Sequence, residues 1–110
     1  MKDQFEVWRF VFPKQGEHPV VLISHPDRCA RSETVNVLYC TSQRQSRKPH
    51  PYEVMLDTAD GFDWETFCDC SLMYSVASAH LFGKRCRVTL ERRRAIRQKI
   101  RDLFLLMDMD

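Results

Sequence analysis

Turn residues divide most of this chain into apolar segments that are too short for helices. Residues 5–12 are rich in aromatic and β-branched side chains, and residues 20–23 form a continuous apolar run. Both patterns are typical of strands, and residues 13–16 between them contain the proline and glycine of a turn. Residues 34–40 and 52–56 have the same strand-like character. We therefore expect a mainly β fold.

The end of the chain changes from this pattern to that of a helix. Residues 67–82 alternate polar and apolar side chains, as one long bent strand or two short ones would, and residues 85–88 are expected to form a further short strand. Thr89 suits a helix N-cap because its hydroxyl can accept a bond from a free amide of the first turn. Apolar residues then follow at helical spacing: Ile96, Ile100, Leu103, Phe104 and Met107. One amphipathic C-terminal helix is predicted.

The size and composition of the chain fit one packed unit. With 110 residues and 44% hydrophobic content, a single domain over residues 1–110 is expected. No apolar run approaches the length of a membrane span, and the N-terminal residues lack the apolar stretch of a signal peptide. We therefore expect a cytoplasmic protein with no membrane partner.

The five cysteines have two interpretations. Without a secretory context, they are expected to be reduced thiols packed as small apolar residues. Cys68 and Cys70 would lie on one face of a strand, which leaves a metal or redox site open. Zinc sites usually combine a turn-forming pair with a matching second pair, and the second pair is absent here. We expect no metal and no cofactor.

Charge is distributed unevenly along the chain. Residues 53–69 contain six acidic and no basic residues, whereas residues 84–101 contain nine basic residues and one acidic residue. Residues 41–51 contain three basic residues and no acidic residue, in a polar stretch typical of a surface loop. Basic segments of this kind attract phosphate. Arg92, Arg93 and Arg94 lie where the helix dipole disfavours positive charge. They indicate either a solvated face or a surface kept basic for an anionic partner.

Several short motifs follow one another along nearly the whole chain. Residues 8–13 read WRFVFP, and after a short glycine turn residues 18–24 read HPVVLIS. The third predicted strand ends in Cys40-Thr41-Ser42. Residues 67–69 read FCD and precede a long strand, a glycine and the terminal helix. In this order and spacing, the motifs resemble the PemK/MazF toxin family.

The resemblance implies a fold, an activity and partners. The implied fold is an SH3-like barrel of the PemK/MazF/CcdB type, mainly β with a C-terminal helix, which forms a homodimer. The implied activity is that of a type II toxin–antitoxin toxin, a metal-independent endoribonuclease (an mRNA interferase) that acts on single-stranded RNA. The implied partners are that RNA, an acidic antitoxin peptide and, together with the antitoxin, operator DNA.

The resemblance also implies a site. His18 stands where the family has the arginine of an Arg-Pro pair, Thr41 matches the family's threonine, and Asp69 matches an acidic position used in part of the family. These three are the expected catalytic residues. The expected substrate-binding residues follow Thr41 or lie in and beside the basic loop: Ser42, Arg44, Arg47, Lys48, His50 and Tyr52.

Two functions stay open because the basic centre of the family is altered. Cleaving RNA without a metal requires a group that takes the 2′-hydroxyl proton, a group that protonates the leaving oxygen, and positive charge near phosphorus. Histidine can exchange protons near neutral pH, but it lacks the permanent charge of arginine. Phe67 also stands where the family has a basic residue. The chain is therefore either an endoribonuclease that uses His18 and Thr41, or a catalytically degenerate member that binds RNA, operator DNA or a protein without cleaving.

Overall fold

The computed structural model describes residues 1–42 and 47–105 as one antiparallel sheet with two α-helices. The strands and helices, in chain order, are β1 (Val7–Phe12), β2 (Gly16–Leu22), α1 (Pro26–Arg31), β3 (Thr34–Ser42), β4 (Glu53–Leu56), β5 (Thr66–Ala77) and α2 (Leu90–Leu105). Two 3₁₀ turns, Thr58–Asp60 and Ser78–His80, flank β5. The prediction of a mainly β fold with a C-terminal helix is confirmed.

The five strands lie in the order β1-β2-β3-β5-β4, and every neighbouring pair is antiparallel. The register of β3 against β5 shifts once, because Leu38 is opposite Met73 whereas Tyr39 is opposite Asp69. Residues 70–72 therefore form a bulge, which bends a sheet and increases its twist. The fold is consistent with the predicted SH3-like type, although the sheet stays open between β1 and β4.

Both faces of the sheet are covered by apolar side chains. Successive strand residues point to opposite faces, so Val20 and Leu22 pack in one cluster with Cys29 of α1, while Val21 packs in the other with Ile96 of α2. All three β2 side chains are fully buried. A continuous apolar run such as residues 20–23 is expected for a strand that is buried on both faces.

Helix α2 begins and packs as predicted. The Arg92 amide donates to Thr89 Oγ1 at 3.4 Å, so Thr89 acts as the N-cap. Ile96 is fully buried, and Ile100 and Leu103 pack partly buried against the same cluster. Met107, predicted to continue this apolar stripe, lies outside the described residues. None of the helices in the described ranges has the length and apolar character of a membrane span.

Two local predictions are wrong. Residues 85–88 do not form a strand, since their pairing consists of a single bridge from Arg87 to Glu6 and separate backbone bonds to residues 5 and 7. Helix α1 was not predicted, because a proline after His25 was taken only as the end of a strand. Proline also suits the first turn of a helix, and here the His25 ring accepts the Asp27 amide as an N-cap.

Candidate active site

An open groove of about 440 Å³ lies beside the start of β2 and the end of β3. Its lining residues come from three strands and two loops: Arg9, Glu17, His18, Pro19, Thr41, Ser42, Trp64 and Arg85. The structure therefore brings together His18 and Thr41, two of the predicted catalytic residues, and Ser42, one of the predicted substrate-binding residues.

His18 is held between two backbone carbonyls and a tyrosine hydroxyl. Its Nδ1 lies 3.1 Å from the carbonyl oxygen of Cys40. Its Nε2 lies 3.1 Å from the carbonyl oxygen of Gln15 and 2.9 Å from Tyr39 Oη. In the neutral ring, Nδ1 donates to Cys40 and Nε2 accepts from Tyr39, whereas in the protonated ring Nε2 donates to Gln15. Nε2 therefore has a hydrogen-bonding partner in either form of the ring, Tyr39 in the neutral form and Gln15 in the protonated form.

Tyr39 is suited to be the hydroxyl donor in this arrangement. Burial, with smaller contributions from Tyr74 and Cys40, raises the pKa of Tyr39 above its usual value, so its hydroxyl keeps its proton. The rings of Tyr39 and His18 are in contact, with centroids 4.5 Å apart. Phe12 packs edge-on against Tyr39 with centroids 5.1 Å apart, which restricts the rotation of the phenol.

Two arginines supply positive charge to the groove, and sequence reasoning missed both. The Arg9 guanidinium lies 3.7 Å from Glu17, and the Arg85 guanidinium lies 3.6 Å from Asp63. Both separations are long and the carboxylates are 51% and 72% exposed, so these ion pairs are weak. Arg9 reaches the groove because it lies directly opposite Pro19, the residue after His18. Only the pairing of β1 with β2 could have indicated this.

Trp64 is a further residue of the groove that no sequence pattern singled out. Its side chain lines the groove and is 43% exposed. An indole at the wall of a basic groove is a stacking surface for a nucleic-acid base, and stacking of this kind tolerates any base.

Arg47, predicted to bind substrate, is instead paired with Glu53 of the protein itself. Its guanidinium donates to both oxygens of Glu53, at 2.9 and 3.1 Å, and lies 4.2 Å over the ring of Phe67. Burial of Glu53 disfavours its ionised form, but the bonds from Arg47 and from the His50 amide outweigh this and lower the pKa of Glu53. A cation is therefore present over Phe67, the position at which the resemblance implied a basic residue.

Lys48, His50 and Tyr52, the other predicted residues that the structure describes in this region, are not among the residues that line the groove. Lys48 and His50 are exposed, and the rings of His50 and Tyr52 stack with centroids 5.3 Å apart. Arg44 lies outside the described residues. Contact of these side chains with a substrate stays a prediction.

Asp69 is placed one strand away from the groove. It lies opposite Tyr39 on β3, and its Oδ1 accepts the amide and the hydroxyl of Ser71 at 2.9 and 2.6 Å. It is not among the described residues that line the groove. Its catalytic role stays a prediction as well.

Four of the five cysteines are buried, and Cys86 is partly buried. Cys68 and Cys70 are buried, and hydrogen bonding between neighbouring thiols together with burial raises the pKa of both. The thiolate form that binds metals is therefore disfavoured at this position. Within residues 1–42 and 47–105, no group of three or more His, Cys, Asp or Glu side chains is arranged to hold a metal ion.

Solved structures share this fold at low sequence identity. A mycobacterial endoribonuclease in complex with its cognate antitoxin superposes with a TM-score of 0.81 at 16% identity, covering 96% of this chain and 97% of that one. The Mycobacterium tuberculosis toxin MazF-mt6 gives 0.73 at 16% identity, covering 93% and 97%. MazF in a MazE–MazF complex from Deinococcus radiodurans gives 0.70 at 17% identity, covering 94% and 93%.

The sequence itself also matches a protein family. No curated protein matches the chain, but residues 3–104 match the family of PemK-like and MazF-like toxins of type II toxin–antitoxin systems. The match includes every strand and nearly all of α2, as well as all the residues of the groove. The chain therefore belongs to the PemK-like, MazF-like toxin family.

Proposed function

We propose that this chain is the toxin of a type II toxin–antitoxin pair and cuts single-stranded RNA in the cytoplasm without a metal. The observation that carries the proposal is the placement of His18 Nε2 between a hydroxyl donor and a carbonyl acceptor, in a groove that also contains two arginines. A group that exchanges protons and fixed positive charge meet two of the three requirements of metal-free cleavage, and the third, a proton for the leaving oxygen, is met by solvent.

Four residues of the groove have roles in the proposed reaction. The 2′-hydroxyl replaces Tyr39 as the donor to His18 Nε2, which takes its proton, and the 2′-oxygen then attacks the neighbouring phosphorus. The bond from phosphorus to the 5′-oxygen breaks, and the 5′-oxygen takes a proton from solvent. Arg9 and Arg85 stabilise the charge that develops on the phosphoryl oxygens, and the Thr41 hydroxyl donates to one of them. The products carry a 2′,3′-cyclic phosphate and a 5′-hydroxyl.

The substrate strand is proposed to extend from the groove along the basic loop. A base stacks on Trp64, which is on the groove wall. Lys48 and Arg44 contact phosphates, and the stacked pair of His50 and Tyr52 offers a second aromatic surface.

The proposed partners follow from the family and from the surface. Two of the similar structures are complexes of a toxin with an antitoxin, and an acidic antitoxin peptide would compete with RNA for the same arginines. Operator DNA would be bound only together with the antitoxin. Leu72 and Met73 are 45% and 42% exposed at the bulge of β5, which supports a homodimer contact there.

The test is cleavage of a mixed-sequence RNA at neutral pH in the presence of a chelator. We expect the wild-type protein to release fragments ending in a 2′,3′-cyclic phosphate. His18→Ala is expected to lower the cleavage rate at least about 100-fold, since general acid–base groups contribute factors of that size.

The matched control is Arg28→Gln, which changes an exposed residue of α1 outside the groove. It should cleave at the wild-type rate. Binding of RNA by the wild-type protein without any cleavage would contradict the enzymatic proposal and favour the degenerate alternative. Equal rates for the wild type and His18→Ala would remove His18 from the mechanism.

A further inference from the structure

The arginines of α2 fall into two groups. Arg92 turns toward the body of the protein, where its guanidinium lies 2.9 Å from Asp57 and 3.8 Å from Asp60. Arg94, Arg97 and Arg101 are exposed and line an open hollow along the helix together with Gln98. Within the described ranges no carboxylate lies in ion-pair distance of these three. Their charge is therefore available to an external anion.

The exposed arginines are linked to the groove along the chain by residues 85–87. A second hollow joins the start of α2 to the N-terminal segment, and it shares Arg94 and Arg97 with the first hollow. Arg87 also lines this second hollow and is two residues from Arg85, which lines the groove. Cys86 between them turns inward and donates to the carbonyl of Asp60. Arg85 and Arg87 therefore both face outward, since side chains alternate along an extended segment.

Arg87 and Arg93 place two positive charges close together at the start of α2. The Arg93 guanidinium donates to the carbonyl of Val88 at 2.6 Å. Burial, followed by repulsion from Arg87, lowers the pKa of Arg93. Asp3 offsets part of this charge through an ion pair with Arg87 at 3.1 Å. An anion bound between Arg87 and α2 would relieve the remaining repulsion.

We infer that Arg87, Arg94, Arg97 and Arg101 form an arginine track that binds the phosphates of RNA beyond the cleavage groove. The inference rests on the proposed function, because it extends the path of the same substrate. The guanidinium fork matches phosphate geometry. On a helix, Arg94, Arg97 and Arg101 are spaced about 4.5 and 6 Å apart along the axis, so the three can contact successive phosphates of one strand.

The packing of α2 decides between RNA and a membrane surface. A basic helix that binds a bilayer inserts its apolar face, but the apolar face of α2 is used by Ile96, Ile100 and Leu103 in the core. Only the basic face is left for a ligand. Its exposed apolar residues, Leu90 and Phe104, lie at the two ends of the helix, about 21 Å apart along the axis. Between them the face offers mainly charge, which suits a phosphate backbone of any sequence.

The test compares two RNAs that carry 2′-O-methyl groups and so bind without being cut. One of about five nucleotides fills the groove, and one of about fifteen extends along the track. The variant R94Q/R97Q/R101Q is expected to bind the longer RNA roughly tenfold more weakly at low salt. The slope of the logarithm of its binding constant against the logarithm of the salt concentration should become shallower by about 2, since each phosphate contact of a single strand contributes about 0.7 to that slope.

Binding of the shorter RNA and its cleavage as unmodified RNA are expected to stay at wild-type values. The control variant R28Q/R31Q removes two exposed arginines from α1 and should leave both lengths unaffected.

Three outcomes would overturn the arginine track. In the first, the triple variant binds both lengths as tightly as the wild type does. In the second, it loses affinity for both lengths equally. In the third, polyglutamate displaces the longer RNA from the wild-type protein at a lower concentration than an unrelated RNA does. Failure of the proposed function would look different. The wild type would then cut neither length as unmodified RNA, while binding of the two 2′-O-methylated lengths would still report on the track.

Discussion

The groove and the start of α2 both place arginines beside carboxylates, but the two sets of ion pairs differ in kind. In the groove, Arg9 is 3.7 Å from Glu17, and both side chains are about half exposed. At the start of α2, Arg92 is 2.9 Å from Asp57 and also faces Asp60, whose side chain is fully buried. The burial of the carboxylate, rather than the number of arginines, separates charge used for folding from charge available to a ligand.

The energies of the two kinds of pair explain this division. An exposed pair contributes between 0 and about 1 kcal/mol, so a phosphate can displace Glu17 from Arg9 at little cost. Removing the cation from a buried carboxylate costs several kcal/mol, because the charge is left unpaired in the interior. No RNA phosphate can therefore compete with Asp60 for Arg92.

Replacing Arg92 should have the largest effect on stability. Arg92→Met keeps the length of the side chain and leaves Asp60 with only the backbone amides of Asp57 and Thr89 as donors. We expect the free energy of unfolding to fall by about 2 kcal/mol, less than for a fully buried pair because Arg92 is 22% exposed. Urea denaturation measures this loss.

Arg94→Met is the matched control for this prediction. It lies two residues further along the same helix and is exposed, so its effect on stability should stay within about 0.5 kcal/mol. Equal destabilisation by the two variants would mean that the ion pairs of Arg92 add no stability beyond that of an unpaired arginine on the same helix.

Replacing Arg9 should lower the cleavage rate and leave stability almost unchanged. Arg9→Gln removes a groove cation but leaves only an exposed Glu17 without its partner, so stability should change by less than about 0.5 kcal/mol. Cleavage, measured as kcat/KM on a short RNA, should fall roughly tenfold, since a charged hydrogen bond contributes about 1.5 kcal/mol or more. A loss of stability with unchanged cleavage would show that Arg9, like Arg92, serves folding rather than ligand binding.

His18 and Thr41 could be expected in one site because the resemblance to the toxin family implied both, and both line the groove in the structure. Arg9 could not be found in the same way. It lies in the middle of β1, and only the register that sets it against Pro19 brings it to the groove.

The use of Arg47 was equally hidden from the sequence. A basic residue in a polar loop indicates an exposed charge. Glu53, six positions later, is buried at the start of β4, however, and accepts from both terminal nitrogens of the guanidinium. Which arginines are engaged in this way depends on tertiary burial, and local sequence patterns do not report it.

The pair of Glu53 with Arg47 leads to the smallest predicted effect, on the dependence of stability on pH. Because the pKa of Glu53 is lower in the folded than in the unfolded protein, the folded state binds fewer protons in that range. The stabilisation is therefore fully present above the ordinary glutamate pKa of 4.5 and is lost as pH falls through the lowered value.

Glu53→Gln should consequently be less stable than the wild type at neutral pH, and the difference should shrink by about 1 kcal/mol as the pH is lowered into the acid range. Thermal or urea unfolding measured from pH 7 down to about pH 3 follows the two curves. The same experiment on Glu17→Gln is the control, because Glu17 forms only the exposed pair with Arg9. If the Glu53 and Glu17 variants gave parallel curves, the Glu53–Arg47 pair would belong with the weak pairs of the groove, and Arg47 would be available to RNA after all.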